Sequence, residues 1–387
     1  MVKMILVALL TATGLSLFSQ NLDGLTFGTD STLEVMTWNI ERFPKNGQTT
    51  LIYVTEIIED LDVDVVALQE IDSKVSFEYL VDGLDGWEGF YADAEFAPLA
   101  YIYKPDVIEV ISTFQIFTNL SREFPRPPFI MELMYGGELF IIINNHFKCC
   151  GDGDLESGDA WDEETRRLHA SNLLEGYIIS NYPDEKVIML GDLNDLITDN
   201  ADNNVFRAFT DRPDDYAFTD IDIAEGDYTG WSFPNWPSHL DHILVTNELF
   251  EGFENHSSDI QTIKIDEFLD GGFDEYDDNV SDHRPVAIKI DIGSDIVSTA
   301  DMAGDKCQIY GFPSPFRDAI TITFDHVFAP AKIEIYNAVG LKVGDFNLGF
   351  TNNSLVWEPT GLSAGVYYAV LLVDNELASI TKLLMVD

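Results

Sequence analysis

Residues 187–195 read Val-Ile-Met-Leu-Gly-Asp-Leu-Asn-Asp: four apolar residues that stop at a glycine, an acid and, after one leucine, an amide and a second acid. Side chains alternate between the two faces of a sheet, so apolar residues at consecutive positions mark a strand covered on both sides. The acids begin where that strand finishes. In α/β sheets, ligands gather in the crevice past the strand ends. The fold turns on whether other strands finish in the same way.

Outward from this stretch, strands are predicted at LEVMTW (33–38), DVVALQE (64–70), AYIYKP (100–105), FIMEL (129–133), LFIIINNH (139–146), LDHILVT (240–246) and RPVAIKI (284–290). Helical spacing appears in TTLIYVTEIIEDL (49–61), where Leu51, Val54, Ile57, Ile58 and Leu61 share a face. It recurs in residues 164–182 through Leu168, Leu173, Leu174, Tyr177 and Ile178. Many strands alternating with few helices imply a layered α/β domain with stacked sheets.

Six polar clusters end or follow these strands: Trp38-Asn39, Gln69-Glu70, Asn145-His146, Gly191-Asp192-Leu193-Asn194, Leu240-Asp241-His242 and Ser281-Asp282-His283. One Asp or Asn after a strand is ordinary turn chemistry. Six such clusters are a pattern. Glu70, Asp192, Asn194 and Asp282 offer the hard oxygens that Mg²⁺ prefers, with His146 and His283 beside them. A metal phosphodiesterase needs that set: a cation, a group to activate water and donors for the developing phosphoryl charge.

The chain has 387 residues, 46% of them hydrophobic, enough for two domains with large cores. It carries 68 acids against 21 Lys and Arg, a net of −47, and 58 of those acids face only 16 bases within residues 1–300. Such a field solvates the protein in a salty medium and repels polyanions unless cations or local bases offset it. Residues 1–20, MVKMILVALLTATGLSLFSQ, read as a signal peptide, too short for a membrane span. The expected mature protein is exported, soluble, without stable membrane insertion and monomeric. Three cysteines, Cys149, Cys150 and Cys307, leave several states open, from a vicinal Cys149–Cys150 disulfide to buried thiols.

In the acidic stretch 151–164, Asp152, Asp154, Glu156 and Glu163 are spaced rather like a structural Ca²⁺ loop, but Ser157 stands where that turn needs Gly. Residues 266–279 have no comparable spacing and read as exposed. Residues 293–306 are small and polar, hence a linker. Residues 307–387 show period-two strands without helices, an all-β sandwich module.

The motifs WN (38–39), LQE (68–70), NNHFK (144–148), GDLND (191–195), LDHI (240–243) and SDHRP (281–285) together resemble the endonuclease/exonuclease/phosphatase superfamily, the deoxyribonuclease I-like proteins. The resemblance covers about residues 33–291 and implies a four-layered αββα sandwich over 31–292, with a Mg²⁺- or Mn²⁺-dependent site at one end of the paired sheets. It implies Glu70 as principal metal ligand, with Asn39 and Asp282 near it. Asp192 would orient or deprotonate the attacking water, and Asn194 would hold the phosphate. His283, oriented by Asp241, would contact the scissile phosphate. His146 would be a second phosphate-facing histidine and general acid, and Arg126 a phosphate-facing arginine. Nucleic acid is the substrate this suggests, with a sphingomyelinase- or inositol-phosphatase-like phosphoester as the alternative. WPSHLDHI lacks the inositol branch's Trp-Cys-Asp-Arg run, and no exposed aromatic hairpin for membranes is evident. Two positions depart from the deoxyribonuclease pattern: Glu41 replaces a basic residue, and Ala97 stands where an acid would pair with His146, with Glu95 the nearest alternative.

The tail resembles the C-terminal sorting domain of the type IX secretion system of Bacteroidetes, through GFPSPF (311–316), IEIYNAVG (333–340), LSAGVYY (362–368) and ITKLLMV (380–386). It implies that machinery as a partner and export to the surface or medium.

Overall fold

The computed structural model describes residue 22, residues 24–94 and 96–292, and farther on 309–312, 316–317, 319–324, 331–337, 341–349, 354–373 and 376–386. The expected signal peptide (1–20), the linker (293–306), Glu95 and Cys307 lie outside these. The chain divides into two compact units, Met1–Ser294 and Asp295–Asp387.

The first unit contains two six-stranded sheets. One joins β1 (Leu33–Asn39), β2 (Val65–Gln69), β3 (Glu88–Tyr91), β4 (Ala100–Tyr103), β11 (Asp259–Thr262) and β12 (Val286–Ile290) in the order β11-β12-β1-β2-β4-β3. The other joins β5 (Glu109–Gln115), β6 (Phe129–Tyr135), β7 (Glu138–His146), β8 (Lys186–Asp192), β9 (Tyr216–Phe218) and β10 (Asp241–Thr246) in the order β5-β6-β7-β8-β10-β9. Among the described residues of this unit, only β1 with β2 and β7 with β8 run parallel.

Period-two alternation sorts each strand's side chains into two interiors. Val35, Val65 and Ala67 meet Phe140, Ile142, Ile188 and Leu190 in the core between the sheets. The opposite faces, Met36, Trp38, Val66 and Leu68, pack on Val54, Ile57, Ile58 and Leu61 of helix α1 (Gln48–Leu61) and Leu80 of α2 (Lys74–Gly83). Ile141, Ile143, Val187 and Met189 pack on Ala170, Leu174 and Ile178 of α3 (Glu163–Asn181). Three interiors between four layers make the αββα sandwich. Burying such side chains stabilises by about 1.5–3 kcal/mol each, which fixes the sheets against each other. Helix α3 starts where Asp162 caps it, accepting from Thr165 N at 2.8 Å.

Two expectations for acidic stretches change. Residues 266–279 are not an exposed loop: Gly272–Asn279 is a helix whose Tyr276 is fully buried, and Asp266 forms a buried ion pair with Arg284 at 2.6 Å. Asp152, Asp154 and Glu156 do not gather with Glu163; the acids of this stretch that lie close enough to hold a metal are Asp162, Glu163 and Glu164. Asp154 accepts from Asn203 Nδ2 at 3.1 Å and Glu163 faces Lys148 at 3.5 Å. The vicinal cysteines are free thiols with sulfurs 3.0 Å apart.

The second unit is all-β. Strands β13 (Ile309–Phe312), β14 (Ile320–Phe324) and β17 (Ser354–Trp357) form one sheet. The other has the order β16 (Lys342–Gly349), β15 (Ala331–Asn337), β18 (Gly365–Val373), β19 (Glu376–Met385). Ile320, Ile333, Ile335, Trp357 and Leu371 form its core. Among the described residues no helix is long and apolar enough to cross a membrane.

Candidate active site

Parallel pairs and antiparallel neighbours bring six chain segments to one end of the sandwich. β1, β2, β7 and β8 finish there, while β10 and β12 begin there. The register sets His146 opposite Asp192, and Asp192 opposite Asp241. Gly191 permits this. Its φ is +142°, and a Cβ built on it would lie 2.0 Å from the Asn145 carbonyl oxygen. Only glycine lets β8 pass β7 this closely.

The side chains converge. Asn39 Nδ2 donates to Asp192 Oδ2 at 3.0 Å and reaches Glu70 Oε1 at 3.5 Å. His146 Nε2 lies 3.3 Å from Asp192 Oδ2 and 3.9 Å from Glu70 Oε1. His283 Nδ1 bonds Asp241 Oδ2 at 2.7 Å, and its Nε2 lies 3.9 Å from Asp192 and 4.0 Å from Asp282. Asn194 N donates to Asp192 Oδ1 at 3.2 Å. Arg126 Nη1 donates to the Phe147 carbonyl at 3.2 Å, and its buried Nε has no partner. All but Asp241 line one cleft of about 810 Å³; Asp241 is buried behind His283.

Burial penalises charge here. It raises Asp192 to about 7 despite the opposing pull of His283, with Asp241 and Glu70 pushing the same way as burial. It raises Asp282 to about 6. Burial also disfavours a charged His283, but the carboxylates of Asp241 and Asp192 outweigh it and bring the imidazole to about 10. His146 goes the other way: burial, then Arg126 and His283, hold it well below the usual histidine range. Its Nδ1 is buried with no partner. That orphan matches the departure at Ala97, which lines the cleft and offers no carboxylate.

The cleft is also strained. Among the described residues eight non-glycine residues have positive φ, and six of them, Glu41, Arg42, Glu70, Ala97, Cys150 and Asn194, line it. Each costs of order 1–3 kcal/mol and clusters of them mark functional sites. The site's bases sort clearly. Arg42, Arg126, Lys148 and Arg166 line the cleft, whereas Arg167 and Arg284 are buried in ion pairs with Glu164, Asp195 and Asp266. Glu41 is used internally, accepting from Asp282 N at 3.3 Å and pairing with Lys45.

The donor set fits a hard dication. Glu70, Asp192 and Asp282 crowd together, and among the described residues no Lys or Arg forms a salt bridge with any of them. Asn39 meets these acids with its amide nitrogen, while its Oδ1 accepts from Glu41 N at 3.0 Å. Asp192, Asp241 and His283 lie close enough to form one metal-capable group. The Asp241–His283 contact at 2.7 Å is a hydrogen bond that orients the ring, so Glu70 and Asp282 are the acids here that could hold a cation.

Sequence reasoning missed the support behind the site. Asp220 Oδ2 lies 3.0 Å from His239 Nε2 and 2.6 Å from His242 Nδ1. His242 Nε2 meets the Asp195 carbonyl at 3.0 Å. A carbonyl and a carboxylate both accept, so both ring nitrogens of His242 donate and the ring is a buried cation. Burial alone would lower His242, yet Asp220 raises it. His239 Nδ1 accepts from Ser232 N, and Ser232 Oγ accepts from the Leu240 and Asp241 amides. The histidine of LDHI was the visible trace; Asp220, far off in sequence, left none.

Comparison with known proteins agrees with this geometry. The family model described as Endonuclease/Exonuclease/phosphatase family matches residues 36–283, and the one described as Secretion system C-terminal sorting domain matches 310–387. The chain therefore belongs to the endonuclease/exonuclease/phosphatase family, metal-dependent hydrolases of phosphoester bonds, and its tail sends it through type IX secretion to the cell surface or extracellular space. No curated protein matches it. Among solved structures, a humanized TDP2 of D. rerio aligns at 14% identity and TM-score 0.50 over 67% of this chain and 99% of that one. The human Nocturnin catalytic domain with bound sulfate aligns at 15% and 0.50, over 67% and 94%. At these identities they share the fold.

Proposed function

We propose that this protein is an exported, Mg²⁺- or Mn²⁺-dependent phosphodiesterase that cuts nucleic acid as an endonuclease of low sequence preference. The observation that carries the reading is His283, held charged by Asp241, facing Asp192 and Asp282 across the cleft that Glu70 shares. Glu70 and Asp282 would hold the cation, with Asn39 bridging Glu70 and Asp192. When bound, the cation polarises the phosphoryl oxygen and offsets the charge of the acids. Asp192, raised by burial to about 7 and so basic enough near neutral pH, orients the attacking water as a carboxylate and receives its proton. His283, Asn194 and Arg126 meet the phosphate oxygens as charge develops on them. His146, held toward its neutral form by burial, places Nε2 3.3 Å from Asp192.

The whole exported protein should be offered plasmid DNA, single-stranded DNA, RNA, sphingomyelin and inositol phosphates with Mg²⁺, Mn²⁺, Ca²⁺ or EDTA. Polynucleotide cleavage that EDTA abolishes supports the reading. Turnover of lipid or inositol phosphate alone would sink it.

A further inference from the structure

Trp236 is 76% exposed, yet its backbone is pinned. Phe233 and Ser238 pair as a β-bridge, Ser238 Oγ donates to the Trp236 carbonyl at 2.7 Å, and Asn235 Nδ2 donates to Asp277 at 2.9 Å. The same short hairpin carries Phe233, whose ring lies 4.7 Å from that of His283. Three residues of chain reach at most about 10 Å, so Trp236 stands close to the group that faces the phosphate, and both line the cleft. Sequence inspection gave no sign of an exposed aromatic hairpin; the structure supplies one.

Phe96, 64% exposed, rims the same cleft. The Arg126 guanidinium sits 5.1 Å from its ring centroid, and Arg126 is itself nine-tenths buried with an unpartnered Nε. A fixed backbone has already lost the entropy that binding would otherwise cost, so an indole held there in water is prepared for a flat apolar face. The group that arrives with both a flat face and a phosphate is a nucleotide. Stacking accepts any base, since every base has a π face. In a duplex those faces are already covered by neighbouring pairs. A duplex also brings twice the charge to a chain whose net charge is −47.

Building on the nuclease reading, we propose that the substrate is an unpaired strand, with a base beside the scissile phosphate stacked on Trp236 and a neighbouring one reaching Phe96 and Arg126.

The test uses the whole protein with Mn²⁺ and three short substrates: a single strand, its duplex, and the same strand with abasic spacers around the cleaved bond. The single strand should be cut about 10-fold more efficiently than the duplex. Trp236→Ala should raise KM on the single strand about 10-fold with a smaller change in kcat, and Trp236→Phe should recover most of that loss. On the abasic strand the wild type should already show the raised KM, and Trp236→Ala should add nothing. An unchanged KM in Trp236→Ala, or equal handling of the abasic strand, overturns the proposal. So does a Trp236→Ala protein that keeps its oligonucleotide KM but no longer binds sphingomyelin vesicles, which would make the hairpin a membrane contact. Activity on a lipid or inositol phosphate with no strand cut by the wild type would remove the nuclease reading itself, a result distinct from the others.

Discussion

His283 takes its orientation from one neighbour. Asp241 accepts its Nδ1–H at 2.7 Å and leaves Nε2 to face the cleft. Asp241→Asn keeps the shape but removes the charge that opposes burial, so kcat should fall at least about 10²-fold with KM changed less. Steady-state kinetics on a polynucleotide would check this, and near-full activity would dismiss the assignment. Asp192→Asn should lose at least about 10²-fold as well. Gly191 makes a different claim, about backbone. A methyl group there meets the Asn145 carbonyl at 2.0 Å, so Gly191→Ala should lower stability by at least about 2 kcal/mol. Chemical denaturation of the soluble variant would measure it.

Strands buried on both faces were legible because burial leaves a compositional mark. LFIIINNH and VIMLGD could hardly be anything else, and their polar last residues announced the site. β3, β5, β9 and β11 carry mixed sequences at or beside sheet edges and left no period to read. The helix Gly272–Asn279 was hidden for a tertiary reason. It buries Tyr276, whose hydroxyl accepts from Trp38 Nε1 at 3.0 Å and donates to the His283 carbonyl at 2.7 Å. Those contacts are 238 and seven residues apart in sequence, and the acids around them look like an exposed loop. The Asp220–His242 pair was hidden in the same way. Asp220→Asn would leave the His242 cation buried without its counter-charge, which costs about 3–5 kcal/mol. Thermal unfolding should show the loss, and a stability equal to wild type would mean that His242 is neutral.

Charge matters across the molecule as a whole, and it can be titrated. At the end of β1 away from the site, Glu34 is fully buried beside Asp64 and pairs with Thr32, and one of its oxygens has no partner. Burial raises Glu34 to about 8, with Asp64 adding to the shift and Thr32 opposing it. The folded state therefore holds a proton that the unfolded chain releases near its ordinary value. That contribution is complete below about 4.5 and is lost as pH rises through about 8. Unfolding midpoints should fall between pH 5 and 8.5, and Glu34→Gln should flatten this fall. An identical pH profile in the variant would refute the assignment. Net charge was legible in the composition. Which acids are buried was not, because Glu34 and Asp64 lie in segments that read simply as strand.

The centre draws on Asn39 from β1 and on His283 from the turn that leads into β12, and these two strands are direct neighbours in the sheet. No early fragment of the chain contains both. The end of the sandwich where the acids and histidines gather can therefore form only after both segments have been made. It cannot be completed until nearly 290 residues have been made.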